Sequence, residues 1–282
     1  MNRVKKILRT IRDDSQLMFG CIGICIMLLM IVLAPVITRW PGDYYGPDSL
    51  AAPGVNGHIL GTNHMGQDVW SMVVYGIRTS LKVAVVSACI SGLIGIVVGG
   101  VAGYFGGIVD RIVSEIINVF MMLPTLFLVL LVVSLFGNSI FHVMVVIGLT
   151  TWPSNAKLMR AQALSLRQRT FVISARTMGE TKLQILFRYI IPNGIFPVIS
   201  NTTMRMAGAI LTEASLSFLG LGDPTVVSWG QMVYDGKAYM TQGWWVCVFA
   251  GLAIVLTVLV FYMMGDGINH VLNPKYAKGG KK

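Results

Sequence analysis

The sequence predicts an all-α polytopic membrane protein with six transmembrane helices and both termini on the cytoplasmic side. Three observations predict it. Of 282 residues, 55% are hydrophobic and only 12% are charged, half the share of about 25% usual in a soluble domain. The apolar residues fall in runs, several of them near the roughly 20 residues that a bilayer-crossing helix needs. Lysine and arginine concentrate in alternate inter-span segments, which sets orientation. The same composition excludes disorder, because there is ample apolar surface to bury, and the glycines and prolines show no collagen-like period.

A basic segment, 1–16, precedes the first span, 17–37, which carries no charge. A basic start before an apolar run also fits a secretory signal peptide. This run is longer than a usual signal core, Asp13 and Asp14 intervene, and no small-x-small site follows, so a retained helix is expected. Segment 38–79 contains Pro41, Pro47, Pro53 and several glycines and is expected to be extracytoplasmic loop and turn. Residues 80–268 form a five-helix core with spans at 83–107, 112–135, 140–152 (extending helically toward 164), 190–219 and 244–264. The inner segment 155–189 is basic and reads as helical, with neither Pro nor Gly between Asn155 and Met178. Segment 220–243, with Trp229 and Tyr234, lies outside, and 269–282 is a basic inner tail.

Orientation follows from the basic residues. On one side fall Arg3, Lys5, Lys6, Arg9, Arg12, Arg111, Lys157, Arg160, Arg167, Arg169, Arg176, Lys182, Arg188, Lys275, Lys278, Lys281 and Lys282. The other side holds only Arg39, Arg78, Lys82 and Lys237. The positive-inside bias makes the first side cytoplasmic. Topology therefore accounts for the net charge of +10, and with no recognition motif present nucleic acid is not an expected partner. Cys21, Cys25, Cys89 and Cys247 all lie in apolar stretches, without disulfide or metal spacing.

No GxxxxGK[ST] phosphate loop, GxSxG or HExxH occurs, so no ATP hydrolysis by this chain and no catalytic residue is expected. His58, His64 and Asp68 share an outer loop but match no standard metal spacing, and ordinary polar loop residues are the expectation. Gly95, Gly99 and Gly103, at i, i+4 and i+8, predict a helix-packing face, extended by Gly92. Met121, Met122 and Leu123 precede Pro124, which predicts a kink in the third span. The fifth span has Pro192 and Pro197 near its start and carries Asn193, Asn201, Thr202, Thr203, Met204, Arg205, Thr212 and Glu213. Polar groups and kinks inside spans usually face a cavity or a partner helix. Met121, Met122, Pro124, Asn201, Met204, Arg205 and Glu213 are thus candidate path or gate residues, and interfacial positions or helix–helix contacts are the alternative. Arg205 and Glu213 are about 12 Å apart along the axis, too far for a direct ion pair.

The most informative stretch is 171–186, FVISARTMGETKLQIL. Phe171, Ala175, Met178 and Ile185 recur at roughly helical spacing, and Gly179 suits a turn between two short helices. An amphipathic helix of this kind either lies on the membrane or docks in a partner's groove.

The run from Ile173 through Gly179, followed by Ile190-Ile191-Pro192-Asn193, resembles the EAA loop of ATP-binding-cassette (ABC) importer permeases. Gly61–Asp68 resembles the GTDxxGRD stretch of peptide and nickel permeases, Ser217–Gly222 reads SFLGLG as in that family, and Gly265-Asp266-Gly267 resembles its terminal motif. The resemblance is to the C-type permease subunit of dipeptide, oligopeptide or nickel importers. It implies a type I importer permease fold and a homologous B-type permease partner. It also implies two ATP-hydrolysing subunits, which alone bind ATP and Mg²⁺, and an extracytoplasmic binding protein, all in a bacterial or archaeal plasma membrane. It places Ile173, Ser174, Ala175, Arg176, Met178 and Gly179 on the helix that couples to the ATPase. Two departures stand out: the family's Glu is Ile173 here, and its Asp and Arg in the outer motif are Asn63 and Gln67.

A peptide is the expected substrate, with nickel or a metal chelate as the alternative. An ion-coupled carrier would favour intramembrane acids and inverted repeats. Glu213 is the one acid well inside a predicted span and no repeat is evident.

Overall fold

The computed structural model describes residue 12 and residues 14–272. Of the basic residues that set orientation, Arg3, Lys5, Lys6, Arg9, Lys275, Lys278, Lys281 and Lys282 lie outside the described residues.

Helix α1 spans Ser15–Ile37 and starts where Asp14 Oδ1 accepts from Leu17 N at 2.9 Å. The loop that follows is shorter than the sequence suggested. Helix α2, Val69–Phe105, runs for 37 residues and takes in what read as the end of the loop, because Asp68 caps it. Asp68 Oδ2 accepts from both the backbone N and the Oγ of Ser71, each at 2.8 Å. Its Oδ1 meets His58 Nδ1 at 2.9 Å, and the His58 ring stacks on Trp40. His58 is therefore engaged in fixing the loop to the helix start. Replacing Asp68 by Ala removes an N-cap and the hydrogen bond to buried His58 Nδ1, and is expected to destabilise the chain by about 2 kcal/mol. Asp68→Asn, which still caps, should lose less. Denaturation midpoints in detergent check this, and equal midpoints for wild type and Asp68→Ala would contradict it.

The third span divides. Helix α3, Gly107–Met122, and helix α4, Thr125–Phe136, meet at 78°. Pro124 lacks an N–H, and it holds Leu123 extended at φ −82°, ψ 123°. The expected kink is thus a break. Helix α5, Ile140–Leu166, is continuous through Pro153 and extends toward 164 as expected. A turn at 167–169 leads to α6, Thr170–Thr177. Gly179, at φ +85°, reverses the chain into α7, Lys182–Gly194, which opens with a capping box between Thr181 and Gln184. The inner segment 155–189, which reads as helical, is helical in three pieces, the end of α5, α6 and the start of α7. Within α7 the Ile191 N–H reaches back to Leu186 O, a widened turn. It bends 59° into α8, Phe196–Leu221, at the two prolines, which each open a new helical turn.

The outer segment 220–243 contains helix α9, Trp229–Lys237, which the sequence reading left unassigned. Ser228 Oγ caps it by accepting from Gln231 N at 3.1 Å. Trp229 is buried, and its Nε1 donates to Val73 O at 3.0 Å, tying α9 onto α2. Helix α10, Trp244–Leu272, closes the chain.

Among the described residues the fold is all-helical, with one isolated bridge, Thr62 to Asp68. α2 is the central element, packed against α5 and α8, while α10 lies between α8 and α1. Large apolar side chains such as Val32, Val36 and Leu256 point outward, the reverse of a soluble helix and suited to lipid. Three helices, α1, α2 and α10, are long and apolar enough to cross a membrane, and each bent pair, α3–α4 and α7–α8, adds one span at most, giving up to five.

Candidate functional site

Four groups of residues carry the site. The first is a cleft of about 140 Å³ at the break between α3 and α4. Phe120, Met121, Leu123 and Thr125 line it from the break, Thr150, Thr151 and Ser154 from α5, and Arg205 from α8. A broken helix leaves backbone carbonyls without intrahelical partners, which at membrane depth is tolerated only in protein or beside a wet cavity. Thr150 and Thr151 hydroxyls donate back to carbonyls one turn earlier, at 2.8 and 2.7 Å, and keep acceptor capacity toward the cleft. Met122 and Pro124 are exposed at the same break. The hydroxyls of α5 were not singled out from the sequence, although their spacing around Pro153 put them on one face.

Not every polar residue of α8 joins this cleft. Asn201 Nδ2 donates to Asn155 Oδ1 at 2.7 Å, and Asn155 Nδ2 donates to Ser91 Oγ at 3.1 Å. This relay joins α8, α5 and α2 around a fully buried Asn155. Met204 lies against Gly265 of α10. Glu213 is 2% exposed, and its Oε1 accepts from Ser217 Oγ at 2.8 Å, so its carboxylate is enclosed toward α9, apart from the cleft.

The second group is the glycine face. A Cβ on Gly95, Gly99 or Gly103 would land on Asn155 Cβ, Ala156 O and Arg160 O respectively, all on α5. Gly92 faces a different helix, against Thr202 of α8. Where the face ends, Arg160 Nη2 donates to Asp110 Oδ2 at 2.7 Å and Arg167 Nη1 to Gly103 O at 3.3 Å.

The third group is the hairpin α6–α7. Val172, Ala175, Ile185, Leu186 and Ile190 are buried in one cluster with Tyr104, Met159 and Val198. Phe171 and Met178, which the helical spacing grouped with Ala175 and Ile185, instead face out, at 41% and 73% exposure, as does Ile173 at 52%. Ser174 and Arg176 are exposed beside them. Inside the hairpin, Tyr189 donates its hydroxyl to Glu180 Oε1 at 2.7 Å. The hairpin is thus anchored by one face and leaves Phe171, Ile173 and Met178 uncovered on the other.

The fourth group is the outer motif 61–68. Gly61 and Gly66 take φ of +79° and +76°, and a Cβ at Gly66 would strike Gly46 O, so only glycine fits there. Asn63 Oδ1 accepts from the backbone N of Met65 and Gln67, at 2.9 Å each, and its Nδ2 donates to Gln67 Oε1 at 2.7 Å. The two positions where Asp and Arg would stand in the resembling motif therefore touch, as a neutral amide pair. Nearby, burial pushes the Asp235 carboxyl above its usual range, opposed by a hydrogen bond from Gln231. Among the described residues no cluster of three or more His, Cys, Asp or Glu is arranged to hold a metal ion.

Comparison with known proteins adds the following. A putative peptide transport system permease protein of Brucella abortus is 33% identical over 265 residues, covering 90% of this chain and 88% of that protein. A probable D,D-dipeptide transport system permease protein of Escherichia coli is 32% identical over 278 residues, covering 98% and 93%. A chain of the MetNI methionine ABC transporter, in an inward facing conformation, superposes with a TM-score of 0.58 at 21% identity. That match covers 72% of this chain and 96% of the other, and shows the type I importer permease fold. Residues 95–278 match the model of the binding-protein-dependent transport system inner membrane components, and the chain belongs to that family.

Proposed function

We propose that this chain is one membrane-spanning half of an ATP-driven peptide importer. It crosses the plasma membrane of a bacterium or archaeon six times, with α5, 27 residues and about 40 Å long, as the sixth span, and keeps both termini in the cytoplasm. It pairs with a homologous permease, receives substrate from an extracytoplasmic binding protein, and docks on two ATP-binding subunits. Those subunits bind ATP and Mg²⁺, and this chain performs no chemistry of its own. Peptide as substrate rests on relatives whose names carry peptide and D,D-dipeptide transport.

The carrying observation is the uncovered face of α6–α7, with Phe171, Ile173 and Met178 exposed on a hairpin whose other face is buried. Ile173, Ser174, Ala175, Arg176, Met178 and Gly179 form the coupling element in this reading, with Ala175 as its anchor. ATP closing a partner's groove on this hairpin would move α5 and α8 with it, since Met159 of α5 and Val198 of α8 share its buried cluster. Outward and inward access then exchange as two states biased by nucleotide. Met121, Met122, Pro124 and Arg205 line the path, while Asn201, Met204 and Glu213 hold α8 against its neighbours and set its position as a gate.

Affinity purification of the tagged chain in mild detergent, with mass spectrometry of what accompanies it, tests the assembly. A second permease and ATP-binding subunits are the expected companions. Reproducible recovery of this chain alone would overturn the reading.

A further inference from the structure

Resting on that peptide-importer reading, we infer that Arg205 is the residue in the membrane path that recognises the carboxylate of the passing substrate. Arg205 is exposed on α8, nine residues after Phe196. That places it about 14 Å along the helix, within a hydrocarbon core about 30 Å thick. Among the described residues it is the only charged one lining the cleft at the α3–α4 break. Among the described residues it has no hydrogen bond, ion pair or ring contact.

A cationic guanidinium at this depth is costly unless a counter-charge meets it. Glu213, the nearest acid along the same helix, is eight residues away and already engaged with Ser217. Among the described residues no acid on any element pairs with Arg205, which leaves the counter-charge to a group outside them. The cleft around Arg205 also has the means to bind a small anionic group. Thr125 on its wall begins α4, whose first turn has no side-chain cap and so leaves backbone N–H donors open, while the hydroxyls of Thr150, Thr151 and Ser154 are spent on carbonyls of their own helix. A planar guanidinium fork pairs with a carboxylate through two parallel hydrogen bonds. A free peptide always carries such a group at its C-terminus, and side-chain identity is left unread. The arrangement suits a carrier that moves peptides of varied sequence and rejects those with a blocked end.

The test uses the complete importer, with its partner permease, ATPases and binding protein, in proteoliposomes. ATP-driven uptake of dialanine is compared with uptake of dialanine amide. The binding protein's own preference multiplies the acid-to-amide ratio equally in wild type and variant, so the change in that ratio reports on the permease alone. Arg205→Gln is expected to lower the ratio about tenfold or more, and Arg205→Lys, which keeps charge but not the fork, by less. An unchanged ratio in Arg205→Gln, with both peptides affected alike, overturns the assignment and points to an acid of the partner permease instead. Should Arg205→Gln transport neither peptide, Arg205→Lys decides: an acid-to-amide ratio lowered from that of wild type supports the assignment, and a wild-type ratio refutes it. Uptake of neither peptide by the wild-type importer, fully assembled, removes the peptide reading itself and this inference with it.

Discussion

An importer carrying Gly179→Arg is expected to take up no substrate, while the variant chain itself inserts and folds normally. Gly179 sits at φ +85° between α6 and α7, a conformation that costs an L-residue about 1 kcal/mol. That cost is small against the burial of Val172, Ala175, Ile185, Leu186 and Ile190, which holds the hairpin. Among the described residues, no atom beyond its chain neighbours lies within 4 Å of a Cβ placed on Gly179, so the new side chain meets nothing internal there. It projects instead into open space at the turn that follows Arg176 and Met178, both exposed. A long cation there obstructs an apolar groove and adds charge where a partner must close tightly. Gly179→Ala supplies the control, since it bears the same backbone cost with little bulk and is expected to retain most uptake. ATP-dependent uptake in vesicles, together with the amount of chain in the membrane, measures both. Wild-type uptake by Gly179→Arg would refute the hairpin as the coupling element.

The sequence made the hairpin legible because its signals are local. A glycine in a polar turn, flanked by short runs of mixed residues, sufficed to place the reversal. Which face of α6 is buried was not legible, because Phe171, Val172 and Ala175 are all compatible with a helical stripe. Only the neighbouring α5 and α8 decide that Val172 and Ala175 face in and Phe171 faces out. The same reason explains α2 and α9. The start of α2 at Val69 depends on Asp68 being held by His58 and capping Ser71, a tertiary arrangement in a segment whose glycines and prolines spoke for loop. Trp229 stands in an outer segment without an assigned helix until α2 presents Val73 O to it. Pro124 marked the right residue of the third span, but a proline's local effect cannot distinguish a mild kink from a 78° break. The size of the bend is set by what packs on each arm. Asn201 and Glu213 read alike from composition, as polar groups in a span, and differ only in their partners, Asn155 across on α5 and Ser217 one turn on in α8 itself.

The glycine face makes the strongest claim on folding, and its test is Gly99→Val. A Cβ on Gly99 would fall on the carbonyl oxygen, carbon and Cα of Ala156. These are backbone atoms in the middle of a helix, so no rotamer change clears them, and α2 and α5 must separate. Overpacking of a well-filled core costs about 1–3 kcal/mol where side chains can shift, and more is expected where backbone must. Separation also breaks what crosses this interface: Ser87 Oγ to Met144 O at 2.9 Å, and Asn155 to Ser91 at 3.1 Å. Asn155 has no exposed surface, so losing Ser91 leaves a buried amide donor unpaired, a further penalty of about 1–3 kcal/mol. Small residues at such faces work by letting backbones approach, in a solvent where hydrophobic burial between helices supplies no drive. Gly251 of α10 offers the contrast, because among the described residues nothing outside its own stretch of helix lies within 4 Å of a Cβ placed there. Gly251→Ala is expected to fold like wild type or slightly better, through the higher helix propensity of Ala. Gly99→Val is expected to give little monodisperse protein in detergent and rapid proteolysis in the α2–α5 region. A Gly99→Val chain with a wild-type elution profile and denaturation midpoint would show that α2 and α5 are not held in backbone contact in the membrane.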